Sequence, residues 1–114
     1  MIQIFGLKNC DSCRQARKWL QQEGLQHHFH DVRSDGLTRE TLDRWIEAVG
    51  WEVLLNRRGT TWRGLPEEAR NGIDGSKAPA LMLENPALIK RPVIEAGGQI
   101  TVGFSEQVQL SLKA

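Results

Sequence analysis

The pattern of hydrophobic and polar positions predicts a strand, a helix and a second strand at the start of the chain. Residues 2–5 form a short apolar run that a glycine ends, as in a buried strand. Apolar residues then recur at helical spacing over 13–20, and the pair 23–24 carries a helix stop signal. Residues 25–32 return to a strand pattern. A strand–helix–strand unit of this size favours a parallel, right-handed crossover.

Helix and turn signals fill the middle of the chain. Thr38 is placed to cap a helix whose apolar positions end at Val49. Residues 51–70 are less periodic and contain two glycines and a proline, so we expect short helices and loops there. Ser76 and Asn85 are expected to begin two further helices, the second with a proline at its first position.

Near its end the chain returns to a β pattern. The runs 92–95 and 99–102 are rich in β-branched residues and flank the glycine-rich turn 96–98, which is typical of a hairpin. Ser105 is then expected to cap a last helix. The order β-α-β, a helical stretch, then β-β-α predicts the α/β class and a thioredoxin-like fold, in which a mixed sheet carries a helical insertion.

Length and composition suit a single domain over residues 1–114. We expect 1–33 and 86–114 to form the thioredoxin-like core and 34–85 to form the helical insertion. A net charge of +1 gives no reason to expect nucleic acid binding. The chain opens without the features of a signal peptide, and no run approaches the roughly 18 apolar residues of a membrane span. We therefore expect a cytoplasmic protein with no membrane partner.

Cys10 and Cys13 lie between the first predicted strand and the first predicted helix. They would close only a tiny loop, and cytoplasmic thiols stay reduced, so a reactive pair is favoured over a structural disulfide. The unpaired N–H groups and positive dipole end of a helix N-terminus favour an anion, so we expect Cys10 to be a nucleophilic thiolate with a lowered pKa. Lys8 and Arg14 add positive charge nearby, and we expect them to contribute to substrate binding. Cys13 is placed to resolve a mixed disulfide on Cys10.

Other interpretations of the cysteines are weaker. A pair of ordinary small core residues fits the strand–loop–helix context less well. A zinc site needs about four ligands, and only His27, His28 and His30 could complete one here. In a strand His28 and His30 share one face while His27 points away, so we expect no metal site. The histidines could instead supply a base for Cys10, but nothing in the sequence aims a ring at the sulfur, so we favour ordinary polar strand positions.

The stretch Lys90-Arg91-Pro92-Val93 joins helical signals to a predicted strand. Proline is tolerated at the first residue of a strand, where no ladder hydrogen bond is lost. A cis bond before Pro92 would bring the Arg91 backbone close to the Cys10 loop in this fold. The guanidinium of Arg91 could then bind an oxyanion or a carboxylate through paired hydrogen bonds, so we expect both residues to form part of the substrate site.

A second basic cluster lies in the irregular middle segment and contains Arg57, Arg58 and Arg63. A nearby glycine indicates a loop, from which these side chains could reach the substrate site. The alternative is a solvated basic loop, and the residues themselves leave both interpretations open. Trp51 and Trp62 lie in the same segment and could line a groove, but we favour core or partly buried positions for both.

These motifs resemble the ArsC/Spx/YffB family of arsenate-reductase-like, thioredoxin-superfamily proteins over nearly the whole chain. The resemblance rests on four stretches: Cys10-Asp11-Ser12-Cys13-Arg14, Leu54-Leu55-Asn56-Arg57-Arg58-Gly59, Pro86-Ala87-Leu88-Ile89-Lys90-Arg91-Pro92-Val93-Ile94 and Val102-Gly103-Phe104. The resemblance implies that Cys10 is the nucleophile and that Arg91, with Arg57 or Arg58, binds an oxyanion. In plasmid-type arsenate reductases of the family the cysteine attacks arsenate, and glutathione with glutaredoxin completes the cycle.

Two departures from the arsenate reductases separate this chain from them. They carry a further oxyanion arginine after the last hairpin, but residues 101–104 contain none. They tend to have serine where Cys13 stands, and a second cysteine suits disulfide exchange better. The YffB-like branch, proposed as glutathione-dependent thiol reductases, is the most similar.

We therefore predict a glutathione-dependent thiol reductase with no bound cofactor. Glutathione is its expected co-substrate, a disulfide or an oxyanion its substrate, and glutaredoxin a further candidate partner. The alternative is a non-enzymatic, Spx-like redox-sensing regulator that binds the C-terminal domain of the RNA polymerase α-subunit.

Overall fold

The computed structural model describes residues 1–113, over which the chain forms four strands, seven α-helices and one 3₁₀ helix. The strands are β1 (Ile2–Gly6), β2 (His27–Asp31), β3 (Val93–Ala96) and β4 (Gln99–Val102). The helices are α1 (Asp11–Gln22), α2 (Arg39–Val49), α3 (Trp51–Leu54), α4 (Thr60–Arg63), α5 (Glu67–Arg70), α6 (Ala78–Glu84) and α7 (Glu106–Lys113), with a 3₁₀ helix at Pro86–Leu88. Among residues 1–113, no helix has both the length and the apolar character that crossing a bilayer requires.

The chain divides into two compact units. The first unit joins Met1–Gly36 to the chain from Arg91 onward, and it contains all four described strands together with α1 and α7. The second unit, Leu37–Lys90, contains α2 to α6 and the 3₁₀ helix.

The four strands form one mixed sheet in the order β2-β1-β3-β4. β1 and β2 are parallel, as the predicted crossover requires, and Gly6 pairs with Asp31 at the end of this ladder. β3 is antiparallel to both β1 and β4. Gly97 and Gly98 connect β3 to β4 with φ values of 56° and 83°, a left-handed conformation that glycine adopts without a Cβ penalty. The predicted mixed α/β architecture and the hairpin are confirmed.

The core of the first unit lies between one face of the sheet and the two helices α1 and α7. Its buried side chains come from two strands and both helices: Ile4, Ala16, Leu20, Ile94 and Val108. Trp19 and Phe104 pack against this core edge to face, with ring centroids 5.4 Å apart. Removing this apolar area from water is what holds α1, and so the residue that precedes it, against the sheet.

Two sets of local contacts organise the second unit. Thr38 caps α2 as predicted, since its side-chain oxygen accepts the Thr41 N–H at 3.2 Å. Trp45 lies on the buried face of the same helix and is completely buried. Further along, the Asn56 N–H donates to the Leu88 carbonyl and the Lys90 N–H to the Leu54 carbonyl, each at 2.7 Å. These bonds flank an isolated antiparallel bridge between Leu55 and Ile89, the residues that follow α3 and the 3₁₀ helix.

One predicted helix start is wrong. Ser76 does not begin a helix, because α6 starts at Ala78 after an N-cap at Lys77. The Asp74 carboxylate accepts the N–H groups of Ser76 and Lys77 at 2.9 and 3.0 Å, which forms a turn in front of the helix. The second start is confirmed, since Asn85 is followed by Pro86 at the first position, although the helix there is of the 3₁₀ type.

Candidate active site

Cys10 occupies the N-cap position of α1, as the sequence predicted. Its backbone is extended, with φ −99° and ψ 125°, and its carbonyl accepts the Arg14 N–H at 3.0 Å to begin the helix. Its own N–H donates to the Leu7 carbonyl at 3.2 Å, which closes a turn between β1 and α1. The side chain is partly exposed, so a substrate can reach the sulfur.

The environment of Cys10 favours its ionised form. Partial burial raises the pKa of the thiol, but a hydrogen bond from the Arg91 side chain, the backbone and thiol of Cys13, and the positive charge of Arg91 outweigh that effect. The pKa of Cys10 therefore lies below its ordinary value. A thiolate population at neutral pH is the property that makes a cysteine nucleophilic.

Cys13 has the opposite character. It is completely buried on the apolar face of α1. Burial, and then the hydrogen bond and charge of Cys10, raise the pKa of Cys13 to about 11, although a backbone hydrogen bond from Leu7 opposes the rise. The two neighbouring thiols thus differ in acidity, and Cys10 ionises more readily than Cys13.

Gly6 makes room for the buried thiol, a role that sequence reasoning missed. A Cβ at this position would overlap the Cys13 Sγ. Gly6 ends β1 and is itself buried, so the last residue of the strand has to lack a side chain. The local pattern shows this glycine only as the end of an apolar run, because its contact with a helix residue depends on the fold.

Arg91 and Pro92 bring the third strand to the cysteines. The Arg91–Pro92 peptide bond is cis, and β3 begins at the next residue. The Pro92 carbonyl accepts the Gly103 N–H at 2.8 Å, while its ring is buried. Pro92 lies directly beside Arg91 and is buried, and its part in a substrate site stays a prediction. The structure brings Cys10, Cys13 and Arg91 together.

Lys8 and Arg14 are not among the groups that lower the pKa of Cys10, and their part in substrate binding stays a prediction. The Arg14 guanidinium pairs with the Asp11 carboxylate in the first turn of α1. Lys8 is exposed, and its backbone N–H is hydrogen-bonded to the Asp31 carboxylate at 3.0 Å. Among residues 1–113, the cation that lowers the pKa of Cys10 is Arg91. The sequence neighbours of Cys10 do not reveal this cation, because Arg91 lies far from Cys10 in the chain and only the fold brings the two residues together.

Asp31 is a second residue that sequence reasoning missed. Its carboxylate is buried at the end of β2. Hydrogen bonds from the backbone of Ser34, and also of Lys8 and Arg33, hold the pKa of Asp31 below its ordinary value even though burial raises it. An aspartate at a strand end before the turn residues 34–36 is a recognisable signal for such a turn, but the contact with Lys8 spans 23 positions.

The histidines of β2 form a separate polar cluster. His28 and His30 share one face of the strand as predicted, with ring centroids 4.4 Å apart. His30 Nε2 is hydrogen-bonded to the Gln3 side-chain oxygen at 2.6 Å, and its ring stacks on Phe5. Burial, with the neighbouring His28, lowers the pKa of His30. Within residues 1–113, no three His, Cys, Asp or Glu side chains converge on a point where a metal ion could bind.

Arg57 and Arg58 lie in the second unit, on the loop between α3 and α4. The Arg57 guanidinium lies over two indole rings, 5.5 Å from the centroid of Trp51 and 5.7 Å from that of Trp62. Both tryptophans are partly buried, as predicted. A recess of about 410 Å³ in the same unit is lined by Glu52, Leu55, Arg57, Arg58 and Lys90.

Together, fold and site define a class: a thioredoxin-like protein with a helical insertion, in which a partly exposed cysteine lies at the N-cap position of the first helix. The sequence profile of the ArsC family matches residues 5–111. The chain therefore belongs to the ArsC family, and the predicted resemblance is confirmed.

The chain is similar in sequence to an uncharacterized protein and to a transcriptional regulator. An uncharacterized protein of Haemophilus influenzae is 44% identical over 107 residues, which cover 94% of each chain. The global transcriptional regulator Spx of Streptococcus mutans is 27% identical over 93% of this chain and 78% of its own length.

Solved structures extend the likeness. A YFFB protein is 41% identical, covers all of both chains and superposes with a TM-score of 0.94. An arsenate reductase (ArsC) related protein from Brucella melitensis is 46% identical, with a TM-score of 0.78 over 99% of this chain and 95% of its own. The chain is thus similar both to arsenate-reductase-related proteins and to Spx regulators.

Proposed function

We propose that this ArsC-family protein is a glutathione-dependent thiol reductase in which Cys10 is the nucleophile. The observation that carries the proposal is the N-cap position of Cys10 beside the Arg91 guanidinium, where the pKa of the thiol is lowered. The likeness to an arsenate reductase related protein supports thiol chemistry of this kind. The absence of an arginine from residues 101–104 favours a disulfide over arsenate as substrate.

The proposed reaction begins with attack of the Cys10 thiolate on one sulfur of a disulfide substrate. A new S–S bond forms to Cys10, and the electron pair of the broken bond leaves with the other sulfur, which takes up a proton. Cys13 or glutathione then attacks the mixed disulfide. If Cys13 attacks, a Cys10–Cys13 disulfide forms, the second substrate thiol leaves, and two glutathione molecules then reduce that disulfide. If glutathione attacks Cys10, the second substrate thiol leaves and a second glutathione releases Cys10. In either route two glutathione molecules are oxidised to glutathione disulfide, and the substrate disulfide is reduced to two thiols.

The high pKa of Cys13 is compatible with a role in the second step. Burial is the largest cause of the raised pKa of Cys13, and the hydrogen bond and charge of the Cys10 sulfur raise it further. Once Cys10 is held in a mixed disulfide its negative charge is gone, so Cys13 loses its proton more readily at that stage. The reaction of Cys10 thus removes one of the causes that keep Cys13 protonated, while burial remains.

Anion binding is proposed for the arginines. Arg91 is placed to hold a carboxylate of glutathione or of the substrate, because its guanidinium already faces the reacting sulfur. Arg57 and Arg58, with Lys90, offer a further anion-binding surface in the recess of the second unit. Stacking against two indoles restricts the Arg57 side chain, which lowers the entropy that binding would cost.

The test is turnover of a mixed disulfide between glutathione and a cysteine peptide, coupled to glutathione reductase and NADPH. We expect Cys10→Ser to reduce turnover to the background rate. Cys13→Ser is the matched variant: retained turnover assigns product release to glutathione, whereas a trapped peptide adduct on Cys10 assigns it to Cys13. The proposal fails if the wild-type protein, with Cys10 shown to be reduced, has no turnover.

A second candidate function is a redox-controlled regulator like Spx. Similarity to the Spx regulator over 93% of this chain, together with the neighbouring cysteines, favours it. The measurement is binding to the purified C-terminal domain of the polymerase α-subunit, made on reduced protein and on protein oxidised to the Cys10–Cys13 disulfide. Tight binding that changes with oxidation, without disulfide turnover, would select the regulator.

A further inference from the structure

The carboxylate of Asp31 links the loop that carries Cys10 to the end of β2. Its Oδ2 accepts the Lys8 N–H at 3.0 Å, and its Oδ1 accepts the N–H groups of Arg33 and Ser34, each at 2.9 Å. Asp31 is only 6% exposed, so water competes little for these bonds. Two of the donors belong to the turn after β2, but Lys8 lies between β1 and α1.

Leu7, the neighbour of Lys8, touches both thiol-bearing residues through its backbone. Its carbonyl accepts the Cys10 N–H at 3.2 Å. Its backbone also hydrogen-bonds to the Cys13 thiol. A shift of this segment would therefore move one partner of each cysteine at once.

We propose that Asp31 is a positioning residue for the Cys10–Cys13 pair, acting through the backbone of Lys8 and Leu7. A carboxylate suits the role because its two acceptor oxygens serve three N–H donors. An asparagine has one acceptor oxygen and an NH₂ group, so at least one N–H would face another donor. The inference rests on the proposed function only in taking Cys10 as the reacting group.

Loss of the Asp31 charge and loss of its hydrogen bond to Lys8 would shift the pKa of Cys10 in opposite directions, so the two effects can be distinguished. Removing the negative charge of Asp31 would by itself lower the pKa of Cys10, since one source of repulsion disappears. Loss of the Lys8 contact would loosen the loop and misalign the sulfur with the helix N-terminus and Arg91, and so raise that pKa. A rise in the pKa of Cys10 therefore indicates that the sulfur has lost its alignment, because loss of the Asp31 charge would lower that pKa.

The experiment measures the pH dependence of Cys10 alkylation by iodoacetamide in Asp31→Asn, in a Cys13→Ser background. We expect the midpoint to rise and the rate at pH values below it to fall about tenfold. Asp35→Asn is the matched control: Asp35 Oδ2 accepts the Asp31 N–H at 3.0 Å, so this variant disturbs the same turn and removes a charge without touching Lys8. We expect its midpoint to be unchanged or lower.

An unchanged or lowered midpoint in folded Asp31→Asn overturns the proposal. If that variant does not fold, amide hydrogen exchange of the wild-type protein decides instead. The Lys8 N–H should exchange as slowly as the amides of β1, and unprotected exchange there overturns the proposal. Alkylation needs neither glutathione nor a disulfide substrate. A protein without thiol reductase activity can therefore still show the expected rise in the alkylation midpoint of Asp31→Asn, so the two proposals are tested separately.

Discussion

At the scale of single residues, the two thiols at the start of α1 differ in burial and in acidity. Cys10 is partly exposed and hydrogen-bonded to Arg91, whereas Cys13 is completely buried. The CxxC spacing by itself does not predict which of the two thiols has the lower pKa. Burial and one long-range cation make one of them acidic and the other resistant to ionisation.

The first prediction concerns this contrast. In Cys13→Ser, alkylation of Cys10 should show a midpoint below the value of about 8.5 for a free cysteine. In Cys10→Ser, the midpoint of Cys13 should fall below about 11, because the hydrogen bond and charge of Cys10 are gone, yet stay above that of a free cysteine because burial remains. Alkylation rates followed by mass spectrometry against pH give both values. Equal midpoints would contradict the assigned roles.

Arg91 is the second residue-scale prediction. Arg91→Ala should raise the pKa of Cys10, because burial then acts on the thiol without the guanidinium that opposes it. Arg91→Lys, the matched variant, keeps the charge but lacks the planar pair of donors, so it should restore part of the thiolate and little of the anion binding. Alkylation rate, glutathione affinity and melting temperature are measured together. Loss of folding with normal affinity per folded molecule would make Arg91 structural.

At the scale of elements, the end of β1 and the first turn of α1 are fitted to each other. Gly6 pairs with Asp31 in the parallel ladder and accepts the Val32 N–H through its carbonyl at 2.9 Å. On its other side it lies against the Cys13 sulfur. The end of a short strand and the first turn of a helix thus place the Cys13 thiol by close packing against the Gly6 backbone.

The third prediction follows from this contact. Gly6→Ala should destabilise the protein by about 1–3 kcal/mol, because the new methyl group overlaps the Cys13 Sγ in a packed interior. The cost should largely disappear in a Cys13→Ala background, where only the Cβ of residue 13 remains, at 3.4 Å. Urea unfolding of the four proteins completes the cycle. An equal cost in both backgrounds would mean that the backbone of Gly6, and not the sulfur, sets the requirement.

At the scale of the whole molecule, folding is coupled to the ionisation of a buried carboxylate. Asp31 has a lowered pKa in the folded state, so its ionised form contributes stability. That contribution is complete above the unfolded value of about 3.9 and is lost as the pH falls through the lower folded value.

The fourth prediction uses this linkage. Between neutral pH and pH values below about 3.9, the free energy of unfolding should decrease more steeply in wild-type protein than in Asp31→Asn. Urea unfolding at a series of pH values measures the slope. The control is Asp43→Asn, which removes an exposed carboxylate that pairs with Arg39 on α2 and should leave the slope close to that of the wild type. Parallel slopes for wild type and Asp31→Asn would contradict the linkage.

Much of the element order could be predicted from the sequence, because the signals are local. The Thr38 cap, the Gly97-Gly98 turn and the helical spacing after Cys10 each depend on residues a few positions apart. The failure at Ser76 has the same origin. Asp74 and Ser76 both favour turns and lie close together. The Asp74 side chain accepts hydrogen bonds from the N–H groups of Ser76 and Lys77 before the helix begins.

The sequence by itself determined the order of strands and helices, the placement of Cys10 at a helix start and the likeness to the ArsC family. Each of these depends on patterns among residues that are close together in the chain. Only the tertiary structure decided which cation reaches Cys10, why Gly6 has no side chain and how Asp31 holds the cysteine loop. The physical reason is that these contacts join residues that the local sequence pattern does not connect. Their energies depend on burial and on distances that only the packed sheet and helices define.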